Sequence, residues 1–173
     1  MVEARRTIAI HNAHPDLRFA RRSLKTAIAL LDAHAAQFLG GCPTGELSIV
    51  FLTDPALAKL HADFMNDPTA TDVITFAGDA TLGTAGEICV SADTAARFVG
   101  LPLVGQPGAA RRRASAQKTN FSSELALYVV HGWLHLAGYD DLQPAKKRRM
   151  RAAEQRALTL LRAAKAMPAF KWA

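Results

Sequence analysis

The chain has 173 residues, of which 50% are apolar and 21% charged, a balance that excludes intrinsic disorder and collagen-like repeats. Two cysteines, Cys42 and Cys89, with no C-x-x-C pair exclude a disulfide scaffold and fit a reducing compartment. The formal charge of +6 is spread unevenly: residues 46–104 hold eight acids against only Lys59 and Arg97, and the cations gather in residues 5–25, 111–118 and 146–165. A solvated helix face explains any one such run, but three in so short a chain favour a polyanionic partner, a nucleic acid or the ribosome. The start lacks the apolar stretch of a signal peptide, and no run reaches the ~18 apolar residues of a membrane span. The expectation is a soluble, cytoplasmic protein with no membrane partner.

In chain order, residues 7–11 alternate and are β-branched, which predicts a strand. Pro15 and Asp16 then open a predicted helix with Leu17, Ala20, Leu24, Ala27, Ile28 and Leu31 at helical spacing, ended by Gly40, Gly41 and Pro43. Residues 46–53 carry a continuous apolar run and read as a central strand. Thr53 or Asp54 caps the next helix, with Pro55 in its first turn. Residues 72–77 and 87–91 read as a strand pair with a loose connection, and residues 92–99 as a short helix. Residues 100–120 show no period and read as a long exposed loop. Ser122 or Ser123 caps a helix ending at Gly138, and Pro144 opens a last helix striped by Met150, Ala153, Ala157, Leu161 and Ala164. With no repeat and no composition break, residues 1–173 read as a single α+β domain, a small mixed β-sheet packed with helices.

Chemistry concentrates at residues 129–141, V-V-H-G-W-L-H-L-A-G-Y-D-D. His131 and His135 are four apart, so a helix projects both imidazoles from one face, as a zinc site requires. Gly138 reverses the chain, so Asp140 or Asp141 can return to the same ion. Two His and one carboxylate leave a fourth position for water or substrate. In the H-E-x-x-H peptidase helix a Glu follows the first His; here that residue is Gly132, which cannot move a proton and which could let substrate approach the metal. His11, His14, His34 and His61 fit no ligand spacing. Glu124 sits on the stripe of the two His, but an acid there also suits a helix N-terminus. Of Asp72 and Thr75, alternation lets at most one face the cleft.

This run resembles the H-G-x-L-H-L-x-G-Y-D-H signature of the YbeY endoribonucleases. Thr71-Asp72-Val73-Ile74-Thr75-Phe76 is similar to the family's T-D-V-[LI]-[ST]-F strand. Gly86-Glu87-Ile88-Cys89-Val90-Ser91 is similar to its G-[DE]-I-x-[IV]-S strand, and Glu124-Leu125 to its E-L pair. The resemblance implies an α+β fold with a metal site in a cleft, and one zinc ion per chain held by His131, His135 and Asp141. It also implies a metal-dependent, single-strand-specific endoribonuclease acting in 16S ribosomal RNA maturation and ribosome quality control, with ribosomal RNA and the small ribosomal subunit as partners.

Two departures stand out. The third ligand in most members is His, whereas Asp141 stands here and would partly neutralise the ion, with Asp140 the alternative ligand. An Arg before the T-D-V strand, implicated in catalysis in many members, is replaced by Phe64-Met65-Asn66, so no catalytic residue is assigned. Arg111, Arg112 and Arg113 of the long loop are the candidates to bind substrate in its place. The rival readings are a ribosome-associated RNA-binding factor with a structural zinc, and a peptide or small-molecule metallohydrolase that Gly132 disfavours.

Overall fold

The computed structural model describes residues 6–66, 71–103 and 114–173, with side chains described from residue 121 onward in the last stretch. Among the described residues four strands form the main sheet: β1 (Thr7–Asn12), β3 (Glu46–Leu52), β4 (Val73–Ala77) and β5 (Thr84–Ser91), ordered β1-β3-β5-β4. β1 and β5 flank β3 in parallel, and β4 runs antiparallel to β5, so the sheet is mixed. The apolar run of β3 is central, with Leu47, Ile49 and Phe51 fully buried on one face. Among the described residues five α-helices complete the α+β fold: α1 (Arg21–Ala33), α2 (Asp54–Met65), α3 (Ala92–Phe98), α4 (Ala114–Ala137) and α5 (Pro144–Ala163). Among the described residues no helix is long and apolar enough to cross a membrane.

Two expectations change. The helix predicted from Pro15 starts only at Arg21, because Leu17–Phe19 forms a strand, β2, antiparallel to Phe170–Trp172, β6. That pairing joins the two ends of the chain, and local periodicity carries no trace of it. Trp172 is therefore a packed strand residue: its indole donates to the Pro102 carbonyl at 3.1 Å and its ring meets Phe121 at 5.3 Å. The expected loop over residues 100–120 gives way to helix from Ala114, so α4 is 24 residues long. Residues 104–113 lie outside the described residues.

α4 spans the sheet and sets the site. Its Leu125, Val129, Val130, Trp133 and Leu134 are buried in the core with Ile88 and Val90 of β5. Gly132 is what brings helix and strand together, since a Cβ there would lie 2.4 Å from Ile88 Cγ2. The residue expected to leave room for substrate is instead spent on helix-to-sheet packing. α5 packs against α4 and buries Met150, Ala153, Ala157 and Leu161 of the stripe read from the sequence, while Ala164, past the helix end, is exposed.

Candidate metal site

α4 ends in a hydrogen-bonded reversal: Gly138, at φ +111°, donates to the His135 carbonyl at 3.0 Å, and Tyr139 donates to the Leu134 carbonyl at 3.0 Å. Both bonds belong to the glycine-terminated Schellman turn, which a side chain at Gly138 would strain. The turn does two things for the site. It places the Tyr139 carbonyl 3.0 Å from His135 Nδ1, and it brings the next residues back over the helix end.

Asp140 and Asp141 then part. The Asp140 carboxylate accepts from the Leu142 amide at 2.8 Å and from Lys146 Nζ at 3.2 Å, so it stabilises the turn into α5. Asp141 faces the histidines, with its carboxylate oxygens 3.5 Å from His131 Nε2 and 3.8 Å from His135 Nε2. One ligand atom each from His131, His135 and Asp141 lies within 4.8 Å of the other two, a set that can hold a metal ion.

The protons show what that set is suited to hold. A carbonyl only accepts, so His135 Nδ1 must carry the hydrogen it shares with Tyr139. His131 Nδ1 likewise donates to Glu154 Oε1 of α5, at 2.6 Å. In the neutral rings both Nε2 atoms then bear lone pairs, and they face each other at 2.9 Å beside an acidic side chain. Two lone pairs and a carboxylate converging on one point repel unless a cation lies among them. The pKa directions agree. Burial opposes protonation of His131, but the Glu154 bond and charge, with Asp141 and Asp72, outweigh it and raise its pKa. At His135 burial and then the charge of His131 lower it. Nitrogen and oxygen donors with carboxylate and carbonyl partners behind them suit a divalent metal ion.

Sequence reasoning missed Glu154. Its signal is compositional: it is the sole acid of α5, among seven Lys and Arg, beside the buried stripe. Glu124 is not at a helix start, because α4 begins ten residues earlier; it accepts a hydrogen bond from Tyr128, one turn on. Burial raises its pKa, with Asp72 and Glu154 adding to the effect. Asp72, just before β4, adds its negative charge to the surroundings of Glu124 and His131. Cys42 and Cys89 are free and buried, and burial pushes their thiols up to about 11 and about 12, so neither offers a thiolate. Met65, where the family Arg was sought, ends α2 half-exposed. Arg111, Arg112 and Arg113 lie outside the described residues.

His14, set aside as incidental, is buried in a polar cluster at the other end of the sheet. Its Nε2 donates to Asp93 Oδ1 at 2.7 Å, and its Nδ1 accepts from the Asp16 amide at 3.1 Å. Asp93 also accepts from the Asp54 amide at 2.8 Å. Asp54 in turn binds Ser91, Thr94 and Arg97.

Fold and site together define an α+β protein with a candidate metal centre of two histidines and one carboxylate at the end of a long helix. The family model described as Endoribonuclease YbeY matches residues 9–100 and 103–162. The chain belongs to the YbeY family. It is 36% identical over 125 residues to the Endoribonuclease YbeY of Chlamydia abortus, covering 69% of this chain and 71% of that one. It is 32% identical over 151 residues to that of an Anaeromyxobacter species, covering 86% and 68%. The solution structure of TM1509 from Thermotoga maritima aligns with 92% of this chain and 95% of its own, at a TM-score of 0.49 and 19% identity, too low to carry an argument.

Proposed function

We propose that this chain is a single-domain, zinc-dependent endoribonuclease that cleaves single-stranded RNA, acting in the cytoplasm on ribosomal RNA during 16S maturation and ribosome quality control. Membership of the YbeY family supports the reaction class and the RNA substrate. The observation that carries the metal dependence is the meeting of the His131 and His135 Nε2 lone pairs with Asp141. One zinc per chain would be held by these three side chains. When bound, the ion supplies Lewis acidity that stabilises charge on phosphate oxygens and lowers the pKa of water.

The chain's own residues do the positioning. Glu154 and the Tyr139 carbonyl hold the two Nδ1 protons and so aim both Nε2 atoms at one point. Lys146 and the Leu142 amide occupy Asp140, which leaves Asp141 to face the histidines. Side-chain exposures of 19% for His131, 26% for His135 and 36% for Asp141 leave the set open to a phosphodiester. A purely structural zinc would be closed by a fourth protein ligand; among the described residues the set numbers three. The small ribosomal subunit is the proposed partner. Arg111, Arg112 and Arg113 are proposed to hold the RNA backbone, as are the exposed cations of α5.

The test is metal content and cleavage of a labelled single-stranded RNA by the wild type and by Asp141→Ala and Asp140→Ala. One zinc and cleavage in wild type and Asp140→Ala, with both lost in Asp141→Ala, is the expected result. Undiminished cleavage by Asp141→Ala overturns the ligand assignment. A full complement of zinc in a wild type that cuts no RNA favours the RNA-binding factor instead.

A further inference from the structure

A cavity of about 510 Å³ opens between the end of α3, the middle of α4 and the last turns of α5. It adjoins the candidate metal site through both long helices. Leu127 in its wall precedes His131 by four residues, about one helical turn or ~6 Å along α4. Gln155 in its opposite wall directly follows Glu154, the partner of His131.

The lining combines an apolar floor with recognition groups that the protein leaves unspent. Leu127 and Leu158 form the floor. Phe98 stands at the rim with 73% of its surface exposed and makes no ring contact with another described residue. The side chains of Gln155 and Arg162 line the wall without a hydrogen bond or ion pair to any described residue. Glu124 completes it, its carboxylate already accepting from Tyr128 and able to accept further. A free aromatic face, an amide with donors and acceptors, a carboxylate and a guanidinium are the groups by which proteins bind an unstacked base and its phosphate.

We propose that this cavity seats one unpaired nucleobase of the RNA strand, stacked on Phe98 with its edge toward Gln155 and Glu124 and its phosphate toward Arg162. The site then selects single strands by geometry, because a base held in a duplex cannot leave its stack to enter. This inference rests on the endoribonuclease reading and adds to it a second contact beside the metal, which fixes the register of the strand on the cleavage point.

The test is binding of a single-stranded RNA oligonucleotide to the zinc-loaded wild type, Phe98→Ala, Phe98→Trp and Gln155→Ala, with zinc content and thermal midpoint measured on each. Phe98→Ala should weaken binding about tenfold, within the range for loss of one base–aromatic stack. Its zinc content and midpoint should not move, since the ring is exposed. Phe98→Trp should restore binding, with its indole fluorescence quenched by the stacked base. Gln155→Ala should weaken binding less, through a different helix. Wild-type binding with Phe98→Ala and Gln155→Ala equally tight overturns the base site and leaves the metal site standing. A wild type that binds no single-stranded RNA overturns both readings.

Discussion

The His14–Asp93 and His131–Glu154 pairs differ in a way that separates a structural cluster from a site. His14 and Asp93, at one end of the sheet, are fully matched: the amide of Asp16 fills Nδ1, and Nε2 gives its proton to Asp93. His131 and Glu154, between α4 and α5, are matched on one side only. The Nδ1 proton is held, and the Nε2 lone pair is aimed at another lone pair and a carboxylate. A buried polar network that closes on itself contributes to the fold. One that satisfies its outer atoms and leaves its inner atoms in mutual repulsion is arranged for something that is not protein.

The largest effect that would break this contrast is at the ligands. His135→Ala should lower zinc affinity by more than ~100-fold, beyond the loss usual for a partner behind a ligand, and should abolish cleavage. Its unfolding midpoint should change little, and metal analysis with denaturant titration checks both. The mirror experiment is His14→Ala. It leaves the partly buried Asp93 carboxylate without its imidazole donor and should cost about 1–3 kcal/mol of stability while zinc stays bound.

A smaller effect sharpens the role of the partner. Glu154→Gln keeps the shape but removes the charge that holds the His131 Nδ1 proton, and zinc affinity should fall about 10- to 100-fold with the fold intact. Calorimetric titration with zinc measures it, and an unchanged affinity would make Glu154 a packing residue.

The smallest effect is on pH dependence. Burial would raise the Asp54 pKa, but hydrogen bonds from Ser91, Arg97 and Thr94, with the charge of Arg97, outweigh it and lower it. A carboxylate with a depressed folded-state pKa adds stability above its unfolded value, and loses it as pH falls through the folded one. Asp54→Asn should therefore be less stable near neutrality and show a flatter acid limb in midpoints measured below the usual carboxylate pKa.

What the sequence disclosed, and what it hid, follows from the range of each interaction. The strands of the parallel core, the α4 histidines and the glycine stop at Gly138 rest on neighbours within a few residues, and their periods are visible. β2 with β6 is not, because Leu17 meets Trp172 only in the folded chain. Glu154 stayed unread for the same reason, since its bond to His131 crosses from one helix to the next. Gly132 was misread because its role depends on Ile88 of a strand far away in sequence. Asp140 and Asp141 could not be told apart by spacing; the turn that commits Asp140 to Lys146 and Leu142 separates them.

The most direct test of the central claim is a zinc titration of metal-stripped protein, following cleavage of a labelled single-stranded RNA at each addition. Cleavage should be absent in the stripped protein, rise in proportion to added zinc and reach its plateau at one ion per chain. Cleavage that survives stripping, or a plateau of bound zinc with no cleavage, would contradict it.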